Sequence, residues 1–221
     1  MNKRPEALLF DLDGTLIDSA PDLAGTANDM LLARGLPQLP YTSLRPAAGS
    51  GARGMLGTAF NVRPSDDNYV AMRDEFLNRY EQRMLLNATV FDGVEKLLKR
   101  LDMQGIRWGI VTNKAKRFAQ PMVQALDLMP KDQALVCGDC TPHTKPHPAP
   151  LLEAARRMLV APSACVYIGD DLRDIQAGHA AGMCSLAAAW GYLGHAESVS
   201  SWGADGILKD PQALLQFFDL A

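Results

Sequence analysis

The chain has 221 residues, of which 48% are hydrophobic and 21% are charged, and its 25 acidic and 22 basic side chains give a formal net charge of −3. This composition excludes fibrous, low-complexity and wholly disordered proteins. Because no basic run is long enough to attract a polyanion, we expect no nucleic acid and no membrane surface as a partner.

The first predicted element is a short buried strand that ends in acidic residues. The apolar run Ala7–Phe10 leads directly into Asp11-Leu12-Asp13-Gly14-Thr15. Such a run predicts a strand that delivers polar groups at its carboxyl end. If the chain stays extended, Asp11 and Asp13 point to the same side, where one could attack phosphorus and the other could protonate the leaving oxygen.

Residues 19–86 break this pattern, since they contain no convincing strand and indicate mostly helices. We expect them to form an inserted helical cap on a core made of residues 1–18 and 87–221. The first cap helix is predicted to begin near Pro21 and to end at Gly35. One face of the last cap helix carries large side chains that are expected to form core: Tyr69, Met72, Phe76, Tyr80 and Met84.

A glycine-rich stretch, residues 45–54, lies between the predicted cap helices. Its two arginines, Arg45 and Arg53, suit a loop that contacts an anionic ligand, and we expect both to bind substrate. A plain interhelical turn is the alternative, because Gly and Pro mark turns generally.

Strands and helices alternate through the rest of the chain. Further strands are predicted at 106–111, 134–137, 165–168, 183–188 and 206–208, and helices at 94–101 and 151–158. This alternation predicts an α/β fold in which helices cover both faces of a mostly parallel sheet. The longest run without Asp, Glu, Lys or Arg, residues 175–196, is interrupted by histidines and glycines, so no membrane span is predicted. No signal-peptide core is present, and we expect a cytoplasmic location.

Acidic residues that follow different strands are predicted to meet at one edge of the sheet, because ligands of open parallel sheets bind beyond the carboxyl ends of the strands. Magnesium prefers a few carboxylates together with water and substrate oxygens. The predicted metal ligands are Asp11, the backbone carbonyl of Asp13, and Asp170, with Asp171 or Asp174 reached through water. An isolated Asp is more often a helix cap or a turn residue.

Thr112 and Asn113 follow the second core strand, where a hydroxyl and the amides of a helix start can hold phosphate oxygens. Simple capping is the alternative. Lys145, in a segment stiffened by prolines, could stabilise both the phosphate and an aspartyl intermediate. On its own, such a lysine would more often be a solvated surface charge.

Cys137 and Cys140 have CxxC spacing, and His143 and His147 follow closely. The gap between the pairs is far shorter than in a zinc finger, so we discount a metal site there and favour loop or substrate-rim roles for the histidines. The other two cysteines lie in strand-like runs and are expected to be buried, unreactive thiols.

Four motifs in this order resemble those of the haloacid dehalogenase superfamily: residues 10–16, 111–113, 145–146 and 169–174. The resemblance covers essentially the whole chain and implies a Rossmann-like core with a helical cap inserted after the first motif. The roles that it implies are nucleophile for Asp11, general acid and base for Asp13, phosphate contact for Thr112 and Lys145, and magnesium ligand for Asp170. Dehalogenases of the superfamily lack the second acid, so its presence favours phosphate chemistry.

Shorter stretches indicate which members of the superfamily the chain resembles more specifically. Residues 145–152 and 191–192 resemble bacterial phosphoglycolate phosphatases, whereas residues 51–55, 108–114, 117–119 and 202–205 resemble the N-acetylmuramic acid 6-phosphate phosphatases of cell-wall recycling. We therefore expect a Mg²⁺-dependent phosphomonoesterase, monomeric or homodimeric, whose partner is a small phosphate ester, with N-acetylmuramic acid 6-phosphate the leading candidate. The alternatives are 2-phosphoglycolate hydrolysis, a phosphomutase, and a non-catalytic phospho-receiver.

Overall fold

The computed structural model describes residues 4–129, 134–194 and 198–220. In chain order the strands are β1 (Ala7–Phe10), β2 (Ile17–Asp18), β3 (Thr89–Val90), β4 (Arg107–Val111), β5 (Leu135–Val136), β6 (Cys165–Gly169), β7 (Cys184–Ala188) and β8 (Gly206–Leu208). The helices are α1 (Ala20–Leu32), α2 (Tyr41–Leu44), α3 (Gly51–Phe60), α4 (Tyr69–Arg83), α5 (Val94–Met103), α6 (Lys116–Ala125), α7 (Ala149–Arg157), α8 (Leu172–Ala180) and α9 (Ala213–Phe217).

Six strands form one sheet in the order β5-β4-β1-β6-β7-β8, and every neighbouring pair in it is parallel. This confirms the predicted α/β fold with a parallel sheet. β1 lies in the middle, where Phe10 is opposite Ile110 of β4 and Ile168 of β6. The carboxyl ends of these three strands therefore lie side by side at one edge of the sheet.

Helices cover both faces of the sheet, and the alternation of side chains along β1 shows how. Leu8 and Phe10 pack into a core cluster with residues of α5, α6 and α9, whereas Ala7 and Leu9 pack on the opposite face with residues of α7 and α8. All four side chains are almost fully buried. A strand that is buried on both faces has to be apolar throughout, which is why the run carries no polar residue before Asp11.

The cap helices α1 to α4 all lie within the predicted range 19–86. The chain leaves the core through β2 and returns through β3, and these two strands pair antiparallel, with Ile17 opposite Val90. Asp22, fully buried in the first turn of α1, accepts hydrogen bonds from the backbone amides of Asn87 and Ala88. This carboxylate thereby ties the start of the cap to its end.

The prediction of a loop over residues 45–54 is wrong in its second half. A 3₁₀ turn spans 45–50, and helix α3 begins directly after it. Met55 and Leu56 are buried against the other cap helices, so an apolar face stabilises the helix despite its glycines. Gly54 permits close packing here, because a Cβ at this position would come within 2.2 Å of the Ala47 carbonyl oxygen.

No helix within the described ranges is long and apolar enough to cross a membrane. All four cysteines are described, and each is a free thiol.

Candidate active site

A cavity of about 380 Å³ opens at the sheet edge where β1, β4 and β6 end, with the cap on its far side. The sheet register explains why distant residues meet here, since Asp11 follows β1, Thr112 follows β4 and Asp170 follows β6. The predicted site residues that line the cavity are Asp11, Asp13, Arg53, Thr112, Asn113, Lys145, Asp170, Asp171 and Asp174. Arg45 does not line it.

Lys145 is the central cation of the core side of the cavity and is only 4% exposed. Its Nζ lies 2.9 Å from an Asp11 oxygen and 2.8 Å from an Asp174 oxygen, and it donates to the Tyr167 hydroxyl at 2.8 Å. Burial alone would lower the pKa of this ammonium, but Asp11 and Asp174 more than offset that effect and hold the pKa above its usual value. Lys145 is therefore not the solvated surface charge that its sequence context also allowed.

Asp11, Asp170 and Asp174 form a cluster of carboxylates, each of which offers an oxygen within 4.8 Å of the others. Burial raises the pKa of Asp11 to about 7; attraction by Lys145 opposes this shift, and repulsion from Asp174 adds to it. Burial and the charges of Asp11 and Asp174 also hold the pKa of Asp170 well above its usual range.

This donor set fits Mg²⁺. The ion prefers an octahedron of oxygens at about 2.0 to 2.1 Å, which places opposite ligands about 4 Å apart. The three carboxylates each offer an oxygen within 4.8 Å of the others, and a divalent cation would relieve the crowding of negative charge that adds to the raised pKa values of Asp11 and Asp170. Among the described residues, this is the one group of three or more acidic, His or Cys side chains close enough to share an ion.

Asp170 is held in place by its neighbours on the first motif and on a later loop. Its carboxylate accepts hydrogen bonds from the Thr15 hydroxyl at 3.1 Å and from the Tyr192 amide at 2.8 Å. Gly14 has a φ of +88°, and a Cβ there would lie 2.2 Å from an Asp170 oxygen. The glycine after Asp13 is therefore required both by the turn and by the approach of this carboxylate.

Asp171 and Asp174, which the sequence did not distinguish as metal contacts, face different partners. Asp171 caps helix α8 and accepts hydrogen bonds from the Arg173 guanidinium at 2.7 and 2.8 Å. Although burial raises the pKa of Asp171, Arg173 outweighs that effect and lowers it. The Asp174 carboxylate instead joins Asp11 and Asp170. The geometry thus places Asp174 in the carboxylate cluster and leaves Asp171 beside it.

Thr112 and Asn113 lie in the segment between β4 and α6. The Thr112 hydroxyl accepts a hydrogen bond from the Lys114 amide at 3.1 Å. The Asn113 amide group exchanges two hydrogen bonds of 2.9 Å with the backbone of Lys145. Asn113 therefore fixes the Lys145 segment, and a contact of its side chain with substrate stays a prediction.

Asp13 lies next to Asp11 in the cavity wall but has its own partners. Its carboxylate accepts a hydrogen bond from the Ser19 hydroxyl and forms an ion pair with Lys114, whose Nζ is 3.0 Å away. Lys114 also donates to the Tyr80 hydroxyl of the cap at 2.8 Å. Burial lowers the pKa of Lys114, but Asp13 and Tyr80 outweigh this and raise it.

Sequence reasoning missed several of these residues as members of the site. Lys114 had a signal, since it directly follows Thr112 and Asn113. Tyr192 lies in a stretch that resembles phosphoglycolate phosphatases, but that resemblance assigned it no role. Tyr167 had no signal, because an aromatic residue in an apolar strand ordinarily indicates core.

The cap side of the cavity is largely aromatic and apolar. Tyr80 stacks on Phe76 and meets the edge of Phe118, with ring centroids 6.3 and 5.5 Å apart. Arg53, in the first turn of α3, lines this side and is exposed. Arg45 lies elsewhere, with its guanidinium 5.3 Å from the centroid of the Tyr192 ring. Its predicted contact with substrate therefore finds no support in the geometry.

A family described as haloacid dehalogenase-like hydrolase matches residues 8–188. A phosphoglycolate phosphatase of Xanthomonas campestris pv. campestris strain 8004 is 48% identical over 210 residues, which is 95% of each chain. An N-acetylmuramic acid 6-phosphate phosphatase of Pseudomonas putida is 38% identical over 218 residues, or 99% of this chain and 98% of that one. The crystal structure of a predicted phosphoglycolate phosphatase from Haemophilus somnus is 26% identical and matches with a TM-score of 0.83 over 98% of this chain and 99% of that one.

Proposed function

The chain belongs to the haloacid dehalogenase-like hydrolase family and is a phosphatase of small phosphate esters, and on this premise we propose that it hydrolyses N-acetylmuramic acid 6-phosphate with the help of Mg²⁺. The observation that carries the chemistry is the Asp11 carboxylate, which is paired with the Lys145 ammonium and belongs to one cluster with the buried Asp170 and Asp174.

In the proposed first step, an Asp11 oxygen attacks phosphorus while Asp13 gives a proton to the ester oxygen as the P–O bond breaks. In the second step, water attacks the phosphorus of the aspartyl-phosphate and Asp13 accepts a proton from that water. The bond between phosphorus and the Asp11 oxygen breaks, which releases inorganic phosphate and restores the Asp11 carboxylate. Lys145 holds Asp11 in place and offers its charge to the phosphate oxygens.

Asp11, Asp170 and Asp174 are the proposed magnesium ligands, together with the backbone carbonyl of Asp13. When bound, Mg²⁺ would neutralise the phosphate oxygens and the crowded carboxylates. Thr112 lines the cavity at the end of β4, and its proposed role is to contact a phosphate oxygen with its hydroxyl.

The size and lining of the cavity support an amino-sugar phosphate. A volume of about 380 Å³ falls in the range of about 300 to 1,000 Å³ typical of sites for larger small molecules and exceeds what a two-carbon acid phosphate fills. The lining includes the aromatic residues Phe76, Tyr80 and Phe118, and Arg53 offers a cation for a substrate carboxylate.

A second candidate is 2-phosphoglycolate, because the relative with 48% identity is named for that substrate. The two candidates predict different kinetics. We expect the kcat/KM for phosphate release from N-acetylmuramic acid 6-phosphate, with Mg²⁺ present, to exceed that for 2-phosphoglycolate by at least about tenfold, as 1.4 kcal/mol of extra transition-state binding would give.

A preference for 2-phosphoglycolate would contradict the proposed substrate and favour the second candidate. Dependence on a sugar bisphosphate activator would instead indicate a phosphomutase. If the protein cleaves no phosphate ester at all, including p-nitrophenyl phosphate, the hydrolytic function itself is contradicted.

A further inference from the structure

Lys114 is a buried cation at the wall of the cavity, and none of the steps above uses it. Its Nζ lies 3.0 and 3.1 Å from the two carboxylate oxygens of Asp13 and 2.8 Å from the Tyr80 hydroxyl, and its side chain is 8% exposed. An ammonium in such a place is costly unless an anion accompanies it. In this structure that anion is Asp13.

The ion pair with Lys114 engages both carboxylate oxygens of Asp13, the residue that has to protonate the leaving group. One Asp13 oxygen accepts from both Ser19 and Lys114, and the other accepts from Lys114. A general acid must come within hydrogen-bonding distance of the oxygen that it protonates. During the reaction, Asp13 therefore exchanges a contact with Lys114 for a contact with the ester oxygen.

The position of Lys114 indicates which part of the substrate it meets. Lys145 is paired with Asp11, the proposed nucleophile, whereas Lys114 is paired with Asp13, which protonates the leaving group in the proposed mechanism. A carboxylate on the leaving group could replace Asp13 as the partner of the Lys114 ammonium, so that the buried cation keeps an anionic partner. With an ester that has no carboxylate, the Lys114 ammonium would stay paired with Asp13.

Two other cations of the cavity wall, Lys145 and Arg173, are held differently. Lys145 lies between two carboxylates of the metal cluster. Arg173 binds Asp171 and donates to the Gly49 carbonyl of the cap at 2.7 Å. Of these three cations, Lys114 is the one whose anionic partner has to move for the proposed chemistry to proceed.

We propose that Lys114 is a specificity-determining residue that exchanges Asp13 for a carboxylate on the leaving group. The inference rests on the proposed function, since it requires a phosphate ester as substrate and Asp13 as proton donor. The P–O bond breaks, the Asp13 proton passes to the ester oxygen, and Lys114 keeps its own proton and charge throughout. The substrate carboxylate thus binds the enzyme and also frees Asp13.

The test compares wild-type protein with Lys114→Met on two pairs of esters, with Mg²⁺ present. The pairs are 2-phosphoglycolate with ethyl phosphate, and N-acetylmuramic acid 6-phosphate with N-acetylglucosamine 6-phosphate. We expect the wild type to prefer the carboxylated member of at least one pair. In the variant, the kcat/KM ratio within that pair should fall roughly 10- to 100-fold, as expected for a lost charged hydrogen bond, while kcat for the uncharged member rises.

Two matched variants separate this role from a structural one. Lys114→Arg keeps the charge and should keep the preference for the carboxylated ester. Tyr80→Phe removes a polar atom from the same cluster but leaves the cation, so the preference should also persist. If Lys114→Met does not fold, Lys114→Gln takes its place in the same assay.

Equal slowing of both members of a pair by Lys114→Met, or an unchanged ratio, would overturn the inference. So would a wild-type protein that prefers the carboxylated member of neither pair. A preference for 2-phosphoglycolate over the amino sugar contradicts only the proposed substrate, and the inference is then tested on the smaller pair. Phosphate release from none of the four esters contradicts both.

Discussion

The two sides of the cavity are built in different ways. On the core side, Asp11, Lys145 and Asp174 are nearly enclosed, and each is held by short contacts to the others or to the sheet. On the cap side, Tyr80 is buried among aromatic rings, but Arg53 lies exposed in the first turn of a short helix. The core side has its charges arranged before any ligand arrives, and the cap side leaves its cation in solvent.

This difference separates two tasks. Preorganised charges in a site of low exposure stabilise a transition state, so changes at Asp11, Lys145 or Asp174 should slow every substrate alike. An exposed side chain interacts with the part of the ligand that does not react, so changes on the cap side should alter the ratio between substrates. The predictions below test this division, beginning with the largest expected effect.

Replacing the nucleophile gives the largest loss. Asp11→Asn should lower kcat for every phosphate ester by more than about 10⁴-fold, because the amide cannot form the aspartyl-phosphate. Phosphate release from p-nitrophenyl phosphate and from the preferred ester measures the effect. The exposed Asp67→Asn is the matched control and should behave as wild type. Substantial turnover by Asp11→Asn would remove Asp11 from the nucleophile role.

Lys145→Met should impair both activity and stability. Removing the ammonium leaves Asp11 and Asp174 without their shared cation, which typically costs about 3 to 5 kcal/mol for a buried pair. We expect kcat to fall about 10²- to 10³-fold for all substrates, a loss typical of removing one preorganised charge contact. Urea unfolding in the absence of Mg²⁺ measures the stability.

The control is Lys99→Met, at a lysine side chain that is 77% exposed, and its unfolding free energy should change by less than about 0.5 kcal/mol. If both lysine variants unfold at the same urea concentration, the charges on the core side are not held as tightly as their burial indicates.

Arg53→Ala should change selectivity more than chemistry. We expect the kcat/KM for the preferred ester to fall about tenfold, as for a lost contact in partly exposed surroundings, with little change for p-nitrophenyl phosphate. Arg63→Ala, at another exposed cap residue outside the cavity, is the control. An equal loss of kcat/KM on both substrates would show that Arg53 acts on the chemistry, as the core-side residues do, and would contradict the proposed division between the two sides.

The smallest effect is a dependence of stability on pH and Mg²⁺. The pKa of Asp11 is about 7 in the metal-free folded protein and 3.8 when unperturbed, so the folded state binds protons more tightly than the unfolded state between these values. Metal-free stability should therefore fall as pH rises through this window, and Asp170 adds to the trend in the same direction.

Mg²⁺ competes with those protons, so it should raise the melting temperature more at pH 8 than at pH 5. The expected difference is several degrees, because each kcal/mol moves the midpoint by about 2 to 4 °C in a protein of this size. Thermal melts with EDTA or Mg²⁺ at the two pH values measure it. An equal or larger rise at pH 5 would show that the carboxylates do not hold the ion as proposed.

The core side of the cavity was largely predictable from the sequence, and a local rule explains why. Asp11, Thr112 and Asp170 each follow an apolar strand, and parallel strands align their carboxyl ends. That rule needs no knowledge of how helices pack. It fails to separate Asp171 from Asp174, because the position of Arg173 on the first turn of α8 decides which carboxylate it binds.

The cap side depends on packing that the sequence pattern does not encode. The helix at Arg53 forms because an apolar face packs against other cap helices, although its glycines favour a turn. The contact of Tyr80 with Lys114 joins residues 34 positions apart in different parts of the fold. Neither a tyrosine at position 80 nor a lysine at position 114 indicates by itself that the two side chains are in contact.

The short ribbon of β2 and β3 has a consequence for how such a protein can be remodelled. Because Ile17 lies opposite Val90 and Asp18 opposite Thr89, the two points where the chain leaves and re-enters the core are about 5 Å apart. A segment whose ends lie so close together can be exchanged as a unit, since the rest of the chain does not have to stretch to close the gap. Transplanting residues 20–88 from a relative should therefore change the selectivity while Asp11, Lys145 and Asp174 keep their positions.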